Sequence, residues 1–219
     1  MDLNVLIGVD RAGLVGADGE THHGVFDLGI LKPIPNMVIY QPAYPQEASW
    51  FINESFKHDK HVHCIRYSKN IVTTSLPTNQ NYQFGKWNII HNPENKKGVV
   101  ITYGDSVLDL QQEIIQRNLP LQLINACFLK PVDTQLIQEL AELDLPIFVY
   151  ETDMKSCGLA KDMTYIYSNL KQNVELYSYG IEDCFIPQGT IQQLLTQEGI
   201  SPSQVMDDIE RILHEKGKN

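Results

Sequence analysis

Short apolar runs recur along the chain: VLIGVD from Val5, MVIYQP from Met37, HCIRY from His63, VVITYG from Val99, LQLINA from Leu121, PIFVYE from Pro146 and VELYSYG from Val174. Each is only a few residues long and rich in β-branched or aromatic side chains, the pattern of strands covered on both faces. Most are separated by stretches with helical spacing: QEASWFINESFKH from Gln46, SVLDLQQEIIQRN from Ser106, DTQLIQELAEL from Asp133, LAKDMTYIYSNL from Leu159 and SPSQVMDDIERILHEK from Ser201. Asp105 or Ser106 is placed to cap the second of these helices and Asp133 the third. The last carries Val205, Ile209, Ile212 and Leu213 on one face, which should pack on its own domain. The alternation is that of βαβ units, and it predicts an α/β fold with two parallel sheets.

Two stretches break the alternation. IVTTSLPTNQN, from Ile71 to Asn81, is polar and aperiodic and reads as an interdomain linker, which puts a boundary near residue 80. GKWNIIHNPENKKGVVITYG, from Gly85 to Gly104, reads as a hairpin, with its turn in the Asn, Pro, Lys and Gly cluster.

Composition narrows the setting. The 219 residues are 42% hydrophobic, enough for a core, and the net charge of -10 with no basic run argues against a nucleic-acid or anionic-membrane surface. The start, MDLNVLIGVD, shows no basic leader, and no apolar run approaches the roughly 18 residues of a membrane span. A cytoplasmic protein is expected. Cys64, Cys127, Cys157 and Cys184 form no C-x-x-C pair and read as buried free thiols.

The candidate chemistry lies in DRAGLVGADGETHHG, residues 10–24, the loop leaving the first strand at the strand end where α/β sheets bind ligands. Arg11 offers a fork of donors to a phosphate, or pairs with Asp10 or Asp18 as a surface ion pair. His22 is of the type that moves protons near neutral pH, with Asp18 close enough in sequence to orient it or to hold a hydroxyl. Gly16 and Gly19 flank Asp18 and allow the loop to turn. No role is assigned to His23. His61 and His63, with His58 nearby, have the alternation of one strand face; they read as the polar face of an edge strand rather than as a zinc pair. FIPQGT, from Phe185, places Gln188 and Thr190 to cap the following helix, with Pro187 stiffening its approach. No serine-nucleophile elbow, phosphate-binding P-loop or dinucleotide fingerprint is present.

Three segments, DRAGLVGADGETHHGVFDLGILKPIPNMVI, INACFLKPVD and YGIEDCFIPQGT, resemble in order the C-terminal third of the 1-deoxy-D-xylulose-5-phosphate synthases, thiamine-diphosphate enzymes of the transketolase superfamily. The resemblance implies a partial pyrimidine-binding parallel-sheet domain over residues 1–75, a linker over 76–84, and a transketolase C-terminal-like α/β domain over 85–219. It implies an activity in which pyruvate is decarboxylated on thiamine diphosphate and the two-carbon unit joins glyceraldehyde 3-phosphate. By the same resemblance Arg11 meets the phosphate of that phosphorylated sugar, Asp18 and His22 lie at the substrate end of the cleft, and Lys69 in RYSKN stands where the family has a second phosphate-binding arginine. The chain departs from the family pattern at AYPQEAS and at MKSCGLAKDM, which keeps only Gly158 of a glycine-rich turn. The segments that hold Mg²⁺ and the cofactor's aminopyrimidine ring in the family have no counterpart in this sequence. The chain alone is therefore expected to be inactive, to self-associate as a dimer, and to need a diphosphate-binding N-terminal part. A non-catalytic interaction module is the alternative.

Overall fold

The computed structural model describes residues 3–57, 61–74 and 82–217. The first half supplies three parallel strands: β1 (Val5–Val9), β3 (Val62–Arg66) and β2 (Met37–Tyr40), in that spatial order. A short helix α1 (Asp27–Leu31) precedes β2, and α2 (Pro45–Ser55) connects β2 to β3. The second half supplies β4 (Asn88–His91), β5 (Gly98–Thr102), β6 (Leu121–Asn125), β7 (Phe128–Lys130), β8 (Ile147–Met154) and β9 (Leu176–Ile181). Its helices are α3 (Ser106–Gln116), α4 (Thr134–Ala141), α5 (Leu159–Leu170), α6 (Ile191–Gln197) and α7 (Pro202–Lys216). The second sheet runs β4-β6-β5-β8-β9, parallel except for β4.

β2, β5 and β6 are buried along their whole length, as strands covered on both faces should be. β1 is not, because it lies at the edge of its sheet, and none of its five residues is buried, which corrects the reading of VLIGVD as a strand covered on both faces. Two pairings differ from the sequence reading. β4 and β5 do not form a hairpin, because β6 lies between them and pairs with both. INACFLKPVD contains an unexpected strand: β7 leaves the second half and closes the first sheet, pairing antiparallel with β2 through Ile39–Lys130 and Tyr40–Phe128. The Phe128 ring there stands edge-on to Tyr40, which stacks on Phe51 with centroids 4.3 Å apart, and its carbonyl accepts from Trp87 Nε1 at 2.9 Å.

The helix ends follow local rules. Asp133 caps α4 by accepting from Leu136 N, and Thr190 and Ser201 form capping boxes with Gln193 and Gln204. Asp105 sits at the N-cap of α3 but its carboxylate accepts from Asn70 Nδ2 at 2.6 Å, so neither it nor Ser106 caps the helix. The anomalous AYPQEAS segment is served by Glu47, fully buried, whose Oε2 accepts from Ala43 N at 2.8 Å while Oε1 accepts from Asn125 and Asn88 in the second half. Val205, Ile209 and Ile212 of α7 are buried in the second half, as expected.

The histidine reading needs correction. β3 is an inner strand, and His63 is fully buried among Phe51 and Phe84, a core histidine rather than one face of an edge. His58 lies outside the described residues. All four cysteines are free, but Cys157 is half-buried and Cys184 is exposed. No helix among the described residues is long and apolar enough to cross a membrane.

Candidate active site

The carboxyl ends of β1 and β3 in one sheet and of β5 and β8 in the other face a common region. From β1 comes the loop of residues 10–24, whose base is a small backbone clasp. Gly13 N donates to Gly24 O at 2.9 Å, and Gly24 N faces Gly13 O at 2.9 Å and Arg11 O at 3.1 Å. A β-carbon on Gly24 would lie 2.2 Å from the Arg11 carbonyl, which is why the crossing needs glycine. Arg11 itself takes a left-handed φ of 60°.

The far end of the loop rests on the FIPQGT segment. Gly16–Asp18 form a 3-10 turn; Gly189 N donates to Gly16 O, and Gln188 Nε2 donates to Ala17 O at 2.8 Å. Gln188 therefore ties two loops together and does not cap α6, whereas Thr190 does. His23 completes this seam. Its Nδ1 accepts from Val15 N at 3.1 Å, so the proton resides on Nε2, which faces the Pro187 carbonyl at 3.3 Å. Sequence reasoning gave His23 no role; its position next to a clasp glycine was the available signal.

Of the four site residues read from sequence, three meet. Arg11 Nη1 donates to Asp10 at 2.6 Å and its Nε lies 3.4 Å from Asp18 Oδ2; Lys69, from the loop after β3, donates to the same Asp18 oxygen at 2.9 Å. The hydrogen bond from Lys69, with that from Arg11, holds the Asp18 carboxyl below the usual carboxylate range. Two cations and two carboxylates leave this cluster formally neutral, with Lys69 about half exposed. His22 stands apart: it is exposed and its Nδ1 lies 2.9 Å from Thr21 Oγ1. Beside the cluster, a cavity of about 40 Å³, roughly one water in size, is lined by Ala12, Leu14, Ser68, Asn70, Tyr150 and Thr152 among others.

Beneath the loop lies a buried polar network that the sequence did not disclose. Arg66, fully buried, pairs with both oxygens of Asp27 at 2.8 Å, with Asp153 at 2.8 and 3.2 Å, and with Gln41 Oε1 at 2.6 Å. Tyr103 donates its single hydroxyl proton toward Asp153 at 2.7 Å and also lies 3.0 Å from Glu151. Glu151 accepts from Leu159 N and Ala160 N at the start of α5, and burial pushes its carboxyl up to about 7. The lone glycine of the MKSCGLAKDM segment follows from this: a β-carbon on Gly158 would lie 2.2 Å from Glu151 Oε2.

The arrangement of two parallel-rich α/β units is shared with known proteins. The transketolase pyrimidine-binding domain matches residues 1–74 and the transketolase C-terminal domain matches residues 85–205, and the chain belongs to the transketolase family. Within it, the chain is similar to the C-terminal part of 1-deoxy-D-xylulose-5-phosphate synthases. It is 32% identical over 228 residues to the one from Shouchella clausii, covering 99% of this chain and 35% of that protein. It is 33% identical over 217 residues to the one from Listeria innocua, covering 96% and 34%. The chain thus spans about a third of the length of these curated relatives. Among solved structures, a split-gene transketolase described as an inactive beta4 tetramer superposes with a TM-score of 0.81 at 20% identity, over 97% of this chain and 68% of that one. Transketolase from Campylobacter jejuni gives 0.72 at 15% identity, over 94% and 31%. These likenesses bear on the fold.

Proposed function

We propose that the chain is the acceptor-side part of a thiamine-diphosphate-dependent transferase of the 1-deoxy-D-xylulose-5-phosphate synthase type, handling a phosphorylated sugar. The carrying observation is that Arg11 and Lys69, from loops after two different strands, converge on one anion, the Asp18 carboxylate. A phosphate dianion has more charge and more acceptor oxygens than that carboxylate, so a phosphorylated substrate that draws the two cations off Asp18 would be held by both. Asp18 released in this way is free to accept from a substrate hydroxyl, and His22 on the same loop holds or moves a proton at a substrate oxygen.

Family membership implies thiamine diphosphate. With its diphosphate goes Mg²⁺, an ion held by one or two carboxylates together with phosphate oxygens. The proposal assigns that group to a diphosphate-binding part outside these 219 residues. Exposed Ile71, Phe185, Ile30 and Phe56 supply apolar surface for contact with that part or with a second copy.

The test is calorimetric titration with glyceraldehyde 3-phosphate and with inorganic phosphate. Both should bind, and Arg11→Met and Lys69→Met should each weaken binding by about tenfold. Co-expression with a diphosphate-binding part of a relative should restore turnover, lost again in His22→Asn. Unaltered phosphate affinity in both methionine variants refutes the assignment. The neutral charge of the Arg11–Lys69–Asp18–Asp10 cluster favours a second reading, a non-catalytic interaction module. That reading predicts assembly without turnover.

A further inference from the structure

We propose that Arg66 is a positioning residue: it fixes the base of the 10–24 loop, and through it the placement of Arg11, Asp18 and His22, against both halves of the molecule. Direct binding of a ligand is not open to it, because the side chain is fully buried and all five N–H groups have acceptors. One of those acceptors is decisive. Arg66 Nη2, whose two N–H groups are shared among Asp27, Asp153 and the Gly24 carbonyl, reaches Gly24 O at 3.1 Å in a bifurcated contact; that carbonyl also accepts from Gly13 N, and Gly24 N in turn faces the Arg11 carbonyl. The guanidinium is thus one hydrogen bond from the clasp that sets the left-handed backbone of Arg11.

The other acceptors define what the clasp is held against. Asp27, three residues after Gly24, opens α1 and takes both arms of the fork at 2.8 Å. Gln41 follows β2, and a β-carbon on Gly104 would lie 2.5 Å from its Nε2, so the turn after β5 is shaped to admit it. Asp153 belongs to β8 and is itself oriented by Tyr103. A lysine at this position would keep the charge but reach only part of this set, because an ammonium lacks the planar fork. Buried ion triads of this kind contribute little net stability compared with apolar packing, and their use here is to select one geometry of loop, α1 and β8.

The inference rests on the phosphate reading for its ligand arm only. In the full chain, Arg66→Lys and the milder Asp27→Asn are compared with wild type by amide exchange at Gly13 and Gly24, with Val100 and Leu123 of the second sheet as controls, and by titration with inorganic phosphate. Both clasp amides should exchange about tenfold faster while the controls stay unchanged. The phosphate dissociation constant should rise about fivefold, although no substituted side chain touches the anion. If Arg66→Lys does not fold, Asp27→Asn decides. Wild-type protection at Gly13 and Gly24 in a folded variant, or faster exchange with unchanged phosphate affinity, overturns the positioning role. Failure of wild type itself to bind phosphate removes the functional reading instead, and the exchange result then still decides whether Arg66 holds the clasp.

Discussion

Glu151 makes the sharpest thermodynamic prediction. An ordinary glutamate loses its proton near 4.5, whereas Glu151 holds it to about 7, chiefly because the carboxyl is fully buried. Tyr103 offers one proton between Asp153 at 2.7 Å and Glu151 at 3.0 Å, and the shorter contact claims it. The second contact is then attractive when Glu151 carries a proton of its own. A carboxyl whose folded pKa lies above its unfolded value stabilises the fold fully below the unfolded value, and this contribution is lost as pH rises through the folded one. The separation from 4.5 to about 7 corresponds to about 3 kcal/mol, lost between roughly pH 4.5 and pH 7. Glu151→Gln removes that dependence. Its amide cannot accept from both Leu159 N and Ala160 N, which costs about 1 kcal/mol at every pH. The variant should therefore be less stable than wild type at pH 4 and more stable at pH 8. Urea unfolding followed by the fluorescence of Trp50 and Trp87 at both pH values measures the difference, and subtracting the two proteins cancels the other titrating groups. Parallel stability profiles for the two proteins would refute the reasoning.

Gly24→Ala drives a β-carbon to 2.2 Å from the Arg11 carbonyl, a backbone atom that has no room to retreat, so destabilisation of about 2–4 kcal/mol is expected in denaturant titration, with loss of phosphate binding. Ser201→Ala removes the cap of α7, formed by a hydroxyl that accepts from Gln204 N, and should lower the thermal midpoint by about 2–4 °C in calorimetry. Lys69→Arg restores a two-pronged donor opposite Arg11, and the dissociation constant for inorganic phosphate should fall.

Local features were legible in the sequence and long-range ones were not. The apolar runs and the caps Asp133 and Thr190 announce themselves because strand burial and N-capping depend on residues close together in the chain. The hairpin reading failed because adjacency in sequence says nothing of β6 inserting between β4 and β5. β7 escaped notice because three residues carry too little pattern to mark a strand. The pairing of Arg11 with Asp10 and Asp18 was one of the readings its sequence neighbours offered, and the structure has it; Lys69 was found through a resemblance, and its meeting with the same Asp18 oxygen is what the structure adds. The Arg66 network was invisible: its members, at positions 27, 41, 66, 103, 151 and 153, are ordinary polar residues that meet only in three dimensions.

The crossing of β7 into the first sheet has a consequence for any attempt to cut the molecule in two. A break between Thr74 and Tyr82, which lies outside every described strand and helix, would leave the amino-terminal fragment with β2 bare along one side. That fragment would be prone to stick to its own kind, because β2 is buried at all four positions and carries no charge to discourage pairing. Supplied together, the two pieces hold the means of mutual rescue, since the tongue around Phe128 can re-enter from outside.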